Sequence, residues 1–345
     1  MKKWLSITLV LALVVVGVAG CAPKEVAPKE HMAYTVPEVS GFHPQAVQCV
    51  ELINEYCPDQ RLTGRAVGGM GTEFHEMFVE KSLDYTMLML SDAAYCVGVG
   101  KGGVVDAGLV EQHSTMRWLW ALDISTFHFV VRADSGVETI YDLEGKRFSG
   151  GMAKSATGTI ARDIMSVLDI HPDWFEGSYK DALAATKDRR IVGVVKMSPR
   201  CGLDASIAEL KATTPIRVLS MPKDKLDLLK KEIPRLFWET VPAGAISELP
   251  GHPELVLPAS LCGGVALSDR VTPEEAYCAT KAVVEHWDRV VSTYAAAAKI
   301  DPIGDMVRYL SELPPGGVWL HAGTVKYCKE IGIEVPTSLI PSEYQ

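Results

Sequence analysis

The chain lacks an excess of basic residues. Its 345 residues carry 34 Lys and Arg against 43 Asp and Glu, a formal charge of -9. A nucleic-acid binder needs the opposite balance on at least one face, so no nucleic-acid partner is expected. Cysteine is sparse, with eight in the chain, which excludes a small disulfide scaffold. Charged residues make up 22% and hydrophobic residues 48%, too apolar a balance for a disordered chain. Beyond residue 20 no apolar run approaches the about 18 residues that a membrane-spanning helix needs. His43, His75, His113 and His128 are scattered with no H-E-x-x-H pattern, so no zinc site is expected. No nucleophile elbow and no pair of catalytic carboxylates stands out, so neither an enzyme nor a cofactor is expected.

What is present begins with a leader. Lys2 and Lys3 precede an almost unbroken apolar run from Trp4 to Val16, and Val18-Ala19-Gly20-Cys21 follows. This pattern is that of a secretory signal peptide over residues 1–20. Small residues ahead of a Cys resemble a bacterial lipobox, in which Cys21 is lipidated and becomes the mature N-terminus. Loss of the leader, with its two Lys and no acid, takes the formal charge to -11. Residues 21–32 hold the tetrapeptide APKE twice. Pro and alternating charge build no core, so this stretch is predicted to be a tether. The expected location is extracytoplasmic, in a periplasm or on a cell surface, held to a membrane by the lipid.

From Ala33 the pattern alternates strand and helix. Tyr34–Val36, Thr63–Val67 and the apolar run Tyr85–Leu90 read as strands, and Pro44–Glu55 and Thr72–Lys81 as helices. Two apolar runs fill Met116–Ala133. The rhythm then restarts with strands at Lys146–Ser149 and Ile191–Met197. Helices are placed at Thr157–Leu168, Asp181–Thr186 and Asp204–Lys211. Pro242–Pro258 reads as a return connection, Ala259–Leu267 as an apolar segment, and Thr272 to about Ala298 as one long helix. Such alternation predicts α/β layers with mainly parallel strands. Two rhythms and a helical tail predict two lobes, 33–127 plus 256–345 and 128–255. The chain then crosses between lobes near Phe127–Val131 and near Leu255–Ala259. Two crossings make a hinge, and the cleft between lobes is the natural ligand site.

Candidate binding residues sit where strands turn into helices. Ser155-Ala156-Thr157 reads first as a helix cap. Its functional reading is an anion held by free amides at the positive helix end, with Lys154 adding charge. The Gly68–Thr72 turn, through Gly69, Met70, Gly71 and Thr72, lets a ligand approach the backbone. Gly41-Phe42-His43-Pro44 is a third junction, and Ser91-Asp92 a fourth. Open α/β sheets bind ligands at that edge. Gly98–Gly103 matches G-x-G-x-x-G but follows a helical stretch, so it reads as a surface loop. Arg132 reads as a hinge salt bridge in preference to a ligand counter-ion. Seven Cys remain after lipidation, so at least one stays unpaired within a monomer. Connectivity is open, and Cys201 with Cys262, which flank the predicted lobe connections, form the first pair to test.

Several of these segments resemble one family. Phe129–Val137 (FVVRADSGV) with Tyr141–Arg147 (YDLEGKR) is similar to the V-R-x-D-S-G and D-L-x-G-K-R segments of the TAXI-type receptors of tripartite ATP-independent periplasmic (TRAP) transporters. Ser155–Thr157 with Ala161-Arg162 resembles their S-G-T…A-R, and Leu90–Tyr95 their Q-S-D-x-A-Y. His321-Ala322-Gly323 to Tyr327 resembles their H-x-G-A…Y tail. The order and spacing hold over the chain from about residue 33. The resemblance implies a two-lobed periplasmic-binding-protein-like fold closing on a small organic acid, and a membrane permease driven by an ion gradient as partner. The alternative is a sensor subunit that signals to a membrane kinase or chemoreceptor. Ser40–Pro44 (SGFHP) stands where the family has G-T-Y-Y-P, Gly69–Phe74 (GMGTEF) where it has G-G-S-x-E-N, and Leu90 where it has Gln. Each change replaces a polar partner, and an unpaired buried polar group costs about 1–3 kcal/mol. The ligand implied is a carboxylate with a more apolar body than glutamate, shaped in part by Met197 and Ser198.

Overall fold

The computed structural model describes residues 27–36, 38, 40–66, 70–99, 115–151 and 155–344. The first part alternates β1 (Lys29–Tyr34), α1 (His43–Tyr56), β2 (Gln60–Arg65), α2 (Met70–Phe74), β3 (Tyr85–Leu90) and α3 (Ser91–Val99). A π turn, His75–Val79, prolongs α2. β4 (Met116–Arg132), β5 (Arg147–Phe148), α4 (Ala156–Val167), β6 (Asp173–Trp174) and α5 (Tyr179–Lys187) follow. Next come β7 (Gly193–Pro199), α6 (Ala205–Thr213), β8 (Ile216–Leu219), α7 (Leu226–Glu232) and β9 (Phe237–Val241). β10 (Leu255–Leu267) leads to α8 (Pro273–Glu285), α9 (Trp287–Thr293), α10 (Gly304–Glu312) and α11 (Ala322–Glu330).

Strand order in the main sheet is β2-β1-β3-β10-β4-β7, with β8 on β4 and β9 on β10. The fold is α/β and two-lobed, but its sheet is mixed. β1 runs parallel to β2 and β3, whereas β10 is antiparallel to β3, β4 and β9, and β4 to β7 and β8. This corrects the expectation of a mainly parallel sheet. A strand buried on both faces reads as a continuous apolar run whichever way its neighbour points. β4 is a single strand of 17 residues, not two runs, and buried throughout.

β4 and β10 carry the chain from one core to the next. Residues 116–126 of β4 pair with residues 259–267 of β10, while residues 125–132 pair with β7 and β8. Residues 255–259 of β10 pair with β9. One core takes residues from 33–124 and 259–339, with Ala156 and Phe237. Two others draw only on residues 127–257.

Three local expectations change. β1 starts at Lys29, inside the segment expected to be a tether. His31 is buried there, with Nδ1 3.0 Å from Asp84 Oδ2 and Nε2 3.2 Å from Glu275 Oε1. The predicted long helix from Thr272 breaks at His286. Its Nδ1 bonds Ala282 O at 2.9 Å, the carbonyl that helix continuation would use, so side chain and backbone compete. The disulfide joins Cys57 to Cys278, with Cα atoms 5.8 Å apart. Cys201 and Cys262 are free. α1 ends at Cys57 beside α8, whereas Cys262 lies inside β10, fully buried with its Sγ against Ser125 Oγ.

Candidate functional site

A cleft of about 650 Å³ opens between the two core regions, lined by residues from both. Ser40, Gly41, Phe42 and Tyr294 come from the first. Thr157, Tyr179, Lys196, Met197, Pro199, Leu203, Asp204, Ala205 and Ser206 come from the second.

Three helix starts meet here. Phe42 is the N-cap of α1, without a side-chain cap bond, and Pro44 sits in the first turn, where its missing N–H costs nothing. Ser155 caps α4 by accepting from Gly158 N at 3.0 Å, and Thr157 follows within the first turn. Asp204 caps α6, with Oδ1 accepting from Ser206 N at 3.0 Å. First-turn amides have no partner inside their helix, and the helix dipole leaves that end partly positive. At α1, His43 N already donates to Ser40 O at 3.0 Å and Pro44 has no N–H, and at α6 the Asp204 carboxylate offsets the helix end, so the start of α4 is the end that suits an anion.

The charged lining side chains are one lysine and one aspartate. Lys196 Nζ sits 4.2 Å from the Tyr179 ring centroid and 3.8 Å from Asp204 Oδ2. Asp204 is already engaged: its Oδ1 also accepts the Ser206 hydroxyl, and its backbone N donates to Ser198 Oγ at 3.2 Å. Beneath β7, His128 is fully buried, with Nε2 2.8 Å from Thr126 Oγ1. Burial pushes its pKa down to about 3, so the ring is neutral near pH 7 and adds no second cation. On the opposite wall Phe42 and Tyr294 lie with ring centroids 5.6 Å apart and tilted by 53°. The Tyr294 hydroxyl donates to Asp123 Oδ2 at 3.2 Å, away from the lining residues. Asp123 also accepts from Ser125 Oγ at 2.8 Å, and burial pushes its carboxyl up to about 6.

Of the residues singled out from sequence, Gly41, Phe42, Thr157 and Met197 line the cleft. The others have different places. His43 Nδ1 fastens the preceding loop, at 3.0 Å from Thr35 O and 2.9 Å from Val36 O. Ser198 is buried and braces Asp204. Ala156 is buried in the first core, and Thr72 is exposed and does not line the cleft. Met70 and Gly71 belong to α2. Ser91 and Asp92 are buried at the start of α3, where Ser260 Oγ donates to Asp92 Oδ1 at 2.7 Å and Leu261 N to Ser91 Oγ at 3.0 Å. β10, inserted between β3 and β4, occupies the place a ligand was expected to take. Leu90, one of the departures from the family pattern, is likewise buried in the core. Arg132 pairs with Asp134 at 2.9 Å. Cys21, Gly69 and Lys154 lie outside the described residues.

Sequence reasoning missed Tyr179, Lys196, Asp204, Ser206 and Tyr294. Asp204-Ala205-Ser206 carried a usable signal, an Asp cap ahead of a helix. Lys196, alone within the apolar strand V-V-K-M, carried another. Tyr294 carried none, because its place depends on the break after α8.

Residues 92–332, well over half of the chain, match the NMT1-like family. The chain belongs to the NMT1-like family. This NMT1-like chain is also similar to several solved structures. The periplasmic aliphatic sulphonate binding protein SsuA from Escherichia coli is 13% identical with a TM-score of 0.46, over 90% of either chain. A TctC solute binding protein from Polaromonas is 13% identical with a TM-score of 0.48, over 80% of this chain and 88% of that one. MatC from Rhodopseudomonas palustris with bound malate is 12% identical with a TM-score of 0.47, over 78% and 89%.

Proposed function

We propose that the protein is an extracytoplasmic receptor for a small organic acid, anchored by a lipid on Cys21. It delivers the acid to the permease of a TRAP transporter, as the resemblance to TAXI-type receptors implies. One observation carries the reading: the start of α4, at Thr157, opens on a cleft between the two core regions that also holds Lys196. A helix end stabilises a nearby negative charge by about 0.3–1 kcal/mol, and the Lys196 ammonium adds a direct partner.

The lobes are residues 33–127 with 256–345, and residues 128–255, hinged where β4 and β10 pass between them. Closing about these strands brings Phe42 and Tyr294 toward Lys196 and Thr157. Water leaves, and each charge interaction strengthens as the local dielectric falls. The Cys57–Cys278 bridge suits an oxidising compartment.

Thermal unfolding of the full chain in detergent, with and without a panel of organic acids, tests this. At least one acid should raise the midpoint by several degrees through binding linkage, and Lys196→Gln should abolish the rise. If no acid shifts the midpoint of folded protein, the reading fails.

A further inference from the structure

The cleft is chemically lopsided, and that asymmetry bears on the kind of acid it takes. Resting on the receptor reading above, we infer that the ligand is an aromatic carboxylate. Its ring lies against Phe42 and Tyr294, and its carboxylate meets Lys196 and the first turn of α4.

Four observations lead there. First, Lys196 is the one cation among the described lining residues, which matches one carboxylate. Second, the one lining carboxylate, Asp204, spends Oδ1 on the Ser206 amide and hydroxyl and keeps Oδ2 3.8 Å from Lys196, so the charged groups of the cleft share one polar corner. Third, the Tyr294 hydroxyl is committed to the buried Asp123 carboxyl, so Tyr294 offers the ligand its ring and not a donor. Fourth, Phe42 and Tyr294 sit at 5.6 Å with a 53° tilt, within the range in which aromatic rings attract one another. A third ring completes the cluster, with Met197 and Leu203 closing the apolar side. The polar corner is separate: Lys196 over Tyr179, with Thr157 and Ser206 beside it. A ligand with one charged end and one flat apolar end satisfies both halves, whereas a flexible dicarboxylate leaves one carboxylate against Phe42.

Calorimetric titration of the full chain with phenylacetate, succinate and glutamate tests the inference. Phenylacetate should bind at least about tenfold tighter than either of the others. Phe42→Leu keeps an apolar side chain but removes the ring, so it should weaken phenylacetate by about tenfold. Lys196→Gln should remove phenylacetate binding. Tighter, Lys196-dependent binding of succinate or glutamate overturns the aromatic assignment and leaves the receptor reading standing. Absence of binding by all three and by a wider acid panel overturns both. Phenylacetate binding that is indifferent to Phe42→Leu overturns the placement of the ring.

Discussion

At the scale of single residues, the polar groups off the cleft show how burial sets charge. Glu73 in α2 is fully buried, and desolvation pushes its carboxyl up to about 8, against a smaller opposing hydrogen bond from Thr86. Its Oε1 has no hydrogen-bond partner among the described residues. The folded state therefore holds a proton that the unfolded chain gives up above about pH 4.5. That stabilisation is fully present below pH 4.5 and is lost as the pH rises through about 8. Glu73→Gln removes the titration. The thermal midpoint of the variant relative to the parent should climb between pH 4.5 and 8 and then level off, at a scale of about 1.4 kcal/mol per pH unit. Parallel midpoint curves for the two proteins would contradict a buried, protonated Glu73. Sequence could mark Glu73 as part of a helix start, since a cap is local. It could not mark its burial, which depends on what packs over α2.

At the scale of elements, the two glycines of β10 decide how closely the crossing strands approach. A Cβ on Gly263 would collide with the Trp120 carbonyl of β4, and one on Gly264 with the Trp120 indole. The ladder between β10 and β4 shifts register at these same positions. Gly263→Ala should destabilise the fold by about 3 kcal/mol or more, because the clash is with backbone that cannot step aside. A denaturant midpoint within error of the parent would rule out this packing. The sequence marked Ala259–Leu267 as an apolar segment but placed the four residues before it in the Pro242–Pro258 return connection. Pro258 is tolerated because it pairs with Trp238 of β9, one residue before the β4 ladder starts at Ala259. One side of β10 needs no N–H there.

At the scale of the whole molecule, connectivity controls stability. The Cys57–Cys278 bridge spans 221 residues and ties the end of α1 to α8. Closing so long a loop removes much unfolded-state entropy, about 5.4 kcal/mol on the chain-entropy model. Reductant, or the double change of Cys57 and Cys278 to Ser, should lower the denaturation midpoint substantially. No change on reduction would show that the bridge contributes nothing to folding. Because both ends of this bridge belong to the first core, it braces that core.

The sequence by itself determined the alternation of strand and helix, the helix starts at Phe42 and Ser155, and the apolar segments that became β3, β4 and β10. These follow from side-chain period and capping, which act over a few residues. Only the tertiary structure decided which helix ends share a cleft, that Ser91 and Asp92 face β10 instead, and that Cys57 pairs with Cys278. It alone placed Lys196, Asp204 and Tyr294 together. Those outcomes hang on strand direction and register across more than a hundred residues, and an apolar run is the same string whichever partner it finds.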